Sequence, residues 1–113
     1  MFIKMDTTRD ALKLIANNLD KKVLLMSVAE EATELAQAAI KLSRFYDGTN
    51  PTGNDILDLI YDLREEYTDL VIAIQAYNNT TKIDNSIELD IDIYHDKIAR
   101  WASRLIQSEK EKA

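Results

Sequence analysis

At 113 residues, with 46% apolar and 30% charged side chains, the chain has the size and composition of one soluble domain and is too apolar for wholesale disorder. A net charge of −6 disfavours binding along a nucleic-acid backbone, and the absence of cysteine excludes disulfides and thiolate metal sites. No apolar run approaches the roughly 20 residues that span a bilayer, and the opening MFIKMDTTRD lacks the apolar stretch of a signal peptide, so a cytoplasmic protein without membrane insertion is expected.

The first predicted element is a short helix over residues 7–19. After NNLD a long helix follows over 22–45. Ser27-Val-Ala-Glu30 has the form of a capping box and offers a later start, but VLLM just before it continues the apolar pattern and favours the earlier one. Both glycines, Gly48 and Gly53, and the only proline, Pro51, fall within residues 47–55, the main break in the chain. A second long helix over 55–77 enters through Thr52, Asn54 or Asp55 as capping candidates. The polar segment NNTTKIDNS, residues 78–86, reads as a linker, and a last helix is expected over 87–109. ELDIDI at 88–93 alternates like a strand but has no evident partner. The expected fold is all-α: a bundle of about four helices in one domain, 1–113. Its two long helices form an antiparallel pair, and oligomerisation completes the bundle because the apolar arcs are wide for so short a chain.

Helical residues advance by about 100°, which places the acidic side chains. Val28, Ala32, Leu35, Ala39 and Leu42 form the apolar stripe of the first long helix, and Glu31 projects inside its edge, with Glu34 on the margin and Glu30 on the polar side. On the second, Leu59, Leu63, Leu70, Ile74 and Tyr77 form the stripe; Glu66 falls within the apolar arc, Asp69 and Asp62 flank it, and Glu65 is more exposed. Glu31/Glu34 and Glu66/Asp69 are thus i, i+3 pairs on two facing helices, so four carboxylates converge if the helices pack antiparallel. Gathered away from water, such charges cost several kcal/mol each unless they take up protons or are neutralised by cations. A divalent metal with all-oxygen ligation, Mg²⁺ or Mn²⁺, answers that need, and Mg²⁺ commonly recruits substrate phosphates. The plainer reading is that EEATE and REEY are solvated charge runs.

The pattern EExxE…ExxD, carried by Glu30-Glu31-Ala32-Thr33-Glu34 and Glu66-Tyr67-Thr68-Asp69, resembles that of the MazG-like all-α nucleoside triphosphate pyrophosphohydrolases. That superfamily includes dimeric dUTPases and phosphoribosyl-ATP pyrophosphohydrolase. The resemblance covers residues 23–77 and extends to the basic pattern of the last helix. It implies Mg²⁺-dependent hydrolysis of a nucleoside triphosphate to the monophosphate and pyrophosphate by a homodimer or homotetramer. Glu31, Glu34, Glu66 and Asp69 match the metal ligands. Glu30 matches a second-shell or second-metal position, and Glu30 and Glu31 are the candidate catalytic residues. KIARWASRL offers Lys97 and Arg100 for the phosphates, with Arg104 on the same side and Trp101 where many relatives have Asn. The basic stripe has an equally simple reading as a solvated face. Asp92 and His95 echo one Glu-x-x-His pair of a di-iron bundle, but a second copy is missing and a packed rim histidine is expected. Tyr46, Tyr61, Tyr67 and Tyr77 are assigned to packing or interfaces, Trp101 to core or interface. A runner-up function is a non-catalytic regulatory or assembly module on the same fold.

Overall fold

The computed structural model describes residues 7–49 and 53–112. Four helices follow in order: α1 (Thr8–Asn18), α2 (Lys21–Tyr46), α3 (Ile56–Asn78) and α4 (Ile91–Lys112), with one 3₁₀ turn at Ile83–Asn85 before the last. The all-α expectation is met, and no strand occurs among the described residues.

Caps decide where the helices begin. Thr7 Oγ1 accepts from the Asp10 N–H at 3.1 Å to start α1, and Asp20 Oδ1 accepts from the Val23 N–H at 2.9 Å to start α2. The early start of α2 is therefore the right one. Ser27, the capping-box candidate, lies inside the helix with its hydroxyl donating back to the Val23 carbonyl at 3.1 Å. Loss of the Asp20 cap leaves an orphan N–H, so Asp20→Ala is expected to lower stability by about 1 kcal/mol, read as a lower thermal midpoint with unchanged helical content. Of the three caps proposed for α3, Asp55 serves, accepting from the Leu57 N–H at 2.9 Å; Thr52 and Pro51 lie outside the described residues.

At the other end of α2, Gly48 adopts φ +79°, and its N–H reaches the Phe45 carbonyl at 3.2 Å while the Thr49 N–H reaches the Arg44 carbonyl at 2.9 Å. These are the two bonds of a Schellman stop, which a left-handed glycine permits without a Cβ clash.

The last helix starts later than predicted, at Ile91 rather than residue 87. The Asn78 side chain holds Ile87 by two bonds, accepting from its N–H at 2.8 Å and donating to its carbonyl at 2.9 Å. That clamp satisfies the backbone of Ile87 outside a helix. Asp90 then caps α4 by accepting from the Asp92 and Ile93 N–H groups at 3.1 Å. The alternation in ELDIDI spans an irregular approach and a helix start.

Leu24 and Ser27 share a hollow with Ala73 and Ala76, whereas Ala38 and Lys41 share another with Leu59 and Asp62, so α2 and α3 run antiparallel. Their seam holds the buried residues Leu24, Ala38, Leu59, Ala73 and Ala76, and α1 adds Ala16. Three of these are alanines on the two long helices, whose small side chains let the axes approach closely. Apart from Leu59, the seam does not follow the predicted apolar stripes. Val28, Leu35, Leu42, Leu63, Leu70 and Ile74 are only half-buried, and Ala32 and Ala39 are exposed. By helical angle the seam is turned away from the stripes by roughly 60° on α2 and 45° on α3. Every residue of α4 is exposed.

Candidate metal centre

The turned seam puts acid where a core would be. Glu31 lies midway between Leu24 and Ala38 at spacing i±7, and Glu66 midway between Leu59 and Ala73, so each glutamate sits in a line of buried residues. Both are half-buried. The sequence placed them at the edge or within the arc of an apolar stripe; the structure places them in the contact line between the helices.

Carboxylate oxygens of Glu31, Glu34 and Glu66 all lie within 4.8 Å of one another. The Oε2 atoms of Glu31 and Glu66 are shut off from solvent and have no hydrogen-bond partner among the described residues. An ionised carboxylate only accepts, so neighbouring carboxylates cannot satisfy these atoms unless a proton or a cation lies between them. Burial is the first cause that pushes the Glu31 carboxyl above its ordinary value, followed by the nearby charges of Glu34, Asp69 and Glu66. Glu66 is raised for the same reason, burial first and then Glu34, Asp69 and Glu65. Among the described residues no ion pair relieves them: the one formed, Lys112 with Glu109 at 3.6 Å, lies within α4.

Three predicted ligands, Glu31, Glu34 and Glu66, are thus brought together. Asp69 is half-buried and close enough to raise both glutamates, but it is outside the three-oxygen group. Glu30 is exposed and also outside it. Hard oxygen donors with two orphaned oxygens suit a divalent cation such as Mg²⁺ or Mn²⁺.

Two hollows flank the carboxylates. One of about 310 Å³ is lined by Glu34, Gln37, Ala38, Lys41, Leu59, Asp62 and Glu66. The other, about 330 Å³, opens between α1 and the pair and includes Ile15, Leu19, Ser27, Glu31 and Asp69. Lys41 is the cation that sequence reasoning passed over. Its signal was present, because Lys41 follows Glu34 by seven residues and so shares its face.

Lys97 and Arg100 lie on α4 with Trp101, Arg104 and Leu105 around a hollow of about 380 Å³ on that helix alone. Among the described residues no hydrogen bond or ion pair joins them to the carboxylates of α2 and α3. His95 is exposed, correcting the packed rim position, and its ring meets Tyr94 edge-on at 5.5 Å. Asp92 and His95 join no metal-binding group among the described residues. Tyr77 is half-buried and donates its hydroxyl to the Asn85 carbonyl at 3.4 Å, while Tyr46, Tyr61, Tyr67 and Trp101 are exposed. Comparison with family models, with curated proteins and with solved structures finds no match for this chain.

Proposed function

We propose that this chain is a metal-dependent nucleoside triphosphate pyrophosphohydrolase of the MazG-like kind, working in the cytoplasm as a homodimer or homotetramer on a free nucleotide. One observation carries the reading. Glu31 and Glu66 lie half-buried in the line of core residues of two facing helices, each with a shielded oxygen that nothing among the described residues satisfies. A sequence folded only for stability gains more from leucine at both places. Among the described residues no helix is long and apolar enough to cross a membrane, in keeping with a freely diffusing substrate.

The residues divide the work by position. Glu31, Glu34 and Glu66 would hold Mg²⁺, with Asp69 near enough to complete the set or to bind a second ion. A metal held there would supply charge neutralisation for the triphosphate and Lewis-acid assistance to hydrolysis. Glu30, or a carboxylate not used in ligation, orients or deprotonates the attacking water. Lys41 lines the hollow beside Glu34 and Glu66 and would meet phosphate oxygens there. Lys97 and Arg100 are the remaining cations assigned to them.

The direct test is a panel of canonical and modified NTPs and dNTPs with Mg²⁺ or Mn²⁺, following pyrophosphate release. Release from at least one nucleotide, abolished by a chelator, is the expected result; none from any, with no metal-dependent thermal shift, sinks the reading. A phosphate contact by a charged side chain is worth about 1.5–3 kcal/mol. Lys41→Ala and Lys97→Ala are therefore each expected to raise KM or lower kcat about tenfold or more, while Arg9→Ala leaves both unchanged. Equal, negligible effects return these lysines to solvated surface. The second reading, a non-catalytic assembly module, draws its support from the full exposure of α4.

A further inference from the structure

The chain's own fold leaves one apolar surface half-covered and another bare. The first is the stripe from which the α2–α3 seam is turned: Val28, Leu35 and Leu42 beside Leu63, Leu70 and Ile74, all only half-buried. By helical angle it lies across the seam from Glu34 and Asp69. Part of it forms a hollow of about 570 Å³ lined by Leu35, Leu63, Arg64, Tyr67 and Thr68. The second is on α4, where Ile91, Tyr94, Ile98, Trp101 and Leu105 follow one another at spacings of three and four with exposures of 43–69%. That spacing is the narrow seam by which one helix packs on another, and the stripe offers it partners at heptad steps, Val28, Leu35 and Leu42 on α2 and Leu63 and Leu70 on α3.

We infer that α4 is an exchanged helix: its apolar seam packs on the half-covered α2–α3 stripe of a second copy of this chain, each copy covering the other.

Surface area supports a second copy as the occupant. The chain exposes 9340 Å², whereas a folded monomer of 12.9 kDa exposes about 6,300 Å². Full exposure of the ten residues outside the described set accounts for about 1,700 Å² at most. At least ~1,300 Å² per copy remains, so a pair of copies has about 2,700 Å² to bury, within the 2,000–5,000 Å² of obligate dimers. The radius of gyration tells the same story, 19.1 Å against about 13 Å for a compact domain of this length. Charge disfavours an anionic membrane as the alternative cover for α4, because the chain carries −6 and Asp92 and Asp96 share the helix with its basic residues. The exchange deepens the assembly part of the function proposed above and rests on none of its metal chemistry.

The absence of cysteine makes the contact directly testable in the full chain. Ile98→Cys and Leu70→Cys are made separately, mixed, and treated with a mild oxidant. A disulfide-linked heterodimer is expected, as is a dimeric mass for the unmodified protein by light scattering. Leu105→Glu is expected to give a monomer, whereas Ser103→Glu on the opposite side of α4 leaves the dimer intact. Circular dichroism separates dissociation from unfolding of Leu105→Glu, and the cysteine pair does not depend on that variant. A monomeric unmodified protein at tens of micromolar overturns the inference, whether or not it binds lipid vesicles. So does an intramolecular disulfide in a monomeric double variant, or a dimer that forms no Leu70–Ile98 link. Lack of pyrophosphatase activity bears on none of these outcomes.

Discussion

Glu66→Gln is expected to abolish pyrophosphate release while raising the thermal midpoint of the metal-free protein, and Glu31→Gln to do the same. The two effects have one origin. Each glutamate lies between buried residues in the α2–α3 seam, with an oxygen that neither solvent nor a donor among the described residues reaches. In the metal-free protein that charge is opposed by burial and by its acidic neighbours. An amide of nearly the same shape removes the charge and supplies a donor that Glu34 can accept. Stability therefore rises. The function falls because the metal loses a charged ligand at the point where triphosphate charge must be balanced. A loss of at least about 10³-fold corresponds to roughly 4 kcal/mol of transition-state stabilisation at 1.36 kcal/mol per decade, the several-kcal/mol scale on which such metals act. Asp69→Asn, outside the three-oxygen group, should lose less than either. Full turnover in Glu31→Gln or Glu66→Gln removes the ligand assignment. Reduced metal-free stability in both removes the idea that the chain tolerates these acids for function.

The helices and their antiparallel pairing were legible because they depend on local signals: Asp20 and Asp55 as caps, Gly48 as a stop, apolar residues at spacings of three and four. The clustering of Glu31 with Glu34 was legible for the same reason, since i, i+3 spacing alone puts them on one face. What the sequence did not reveal was which arc of α2 and α3 forms the intrachain seam. The most apolar arc, through Leu35 and Leu70, was the natural choice, yet the seam runs through Ala38, Ala73 and two glutamates. A stripe reports that a face wants cover and is silent on whether the cover comes from the same chain. The start of α4 was lost for another physical reason. The Asn78 side chain bonds Ile87 across nine residues, and no pattern within residues 87–93 encodes that contact. Asp69 shows the limit of spacing: it shares a face with Glu66, but spacing does not fix whether its oxygen reaches the group.

The stability gained from Mg²⁺ or Mn²⁺ should be large at pH 7–8 and vanish near pH 4.5, opposite in slope to the stability of the metal-free protein. Glu31 and Glu66 bind protons more tightly in the folded chain than their ordinary value of 4.5, because of burial first and acidic neighbours second. Between that value and the raised one, the folded state holds more protons than the unfolded state, so metal-free stability falls as pH rises through the interval. The penalty is complete above it and absent below it. Asp47 acts with the other sign. The Thr49 hydroxyl and N–H lower its carboxyl below 3.8, so its contribution is present above 3.8 and lost only as pH falls through the lowered value. The metal-free thermal midpoint should therefore rise on acidification from pH 7 towards 4.5 before general acid unfolding sets in. A cation that binds only the folded state adds about 2.7 kcal/mol at a hundredfold excess over its Kd. At about 4 °C per kcal/mol for a domain of this size, that is a shift near 10 °C at pH 7–8. Protons and metal compete for the same oxygens, so the shift must shrink as Glu31 and Glu66 protonate. Thermal scans across pH 4.5–8 with and without the ion decide the matter. A metal-induced shift independent of pH places the ion elsewhere, and a metal-free midpoint that climbs steadily from pH 5 to 8 means that the two glutamates are not held as unrelieved acids in the seam.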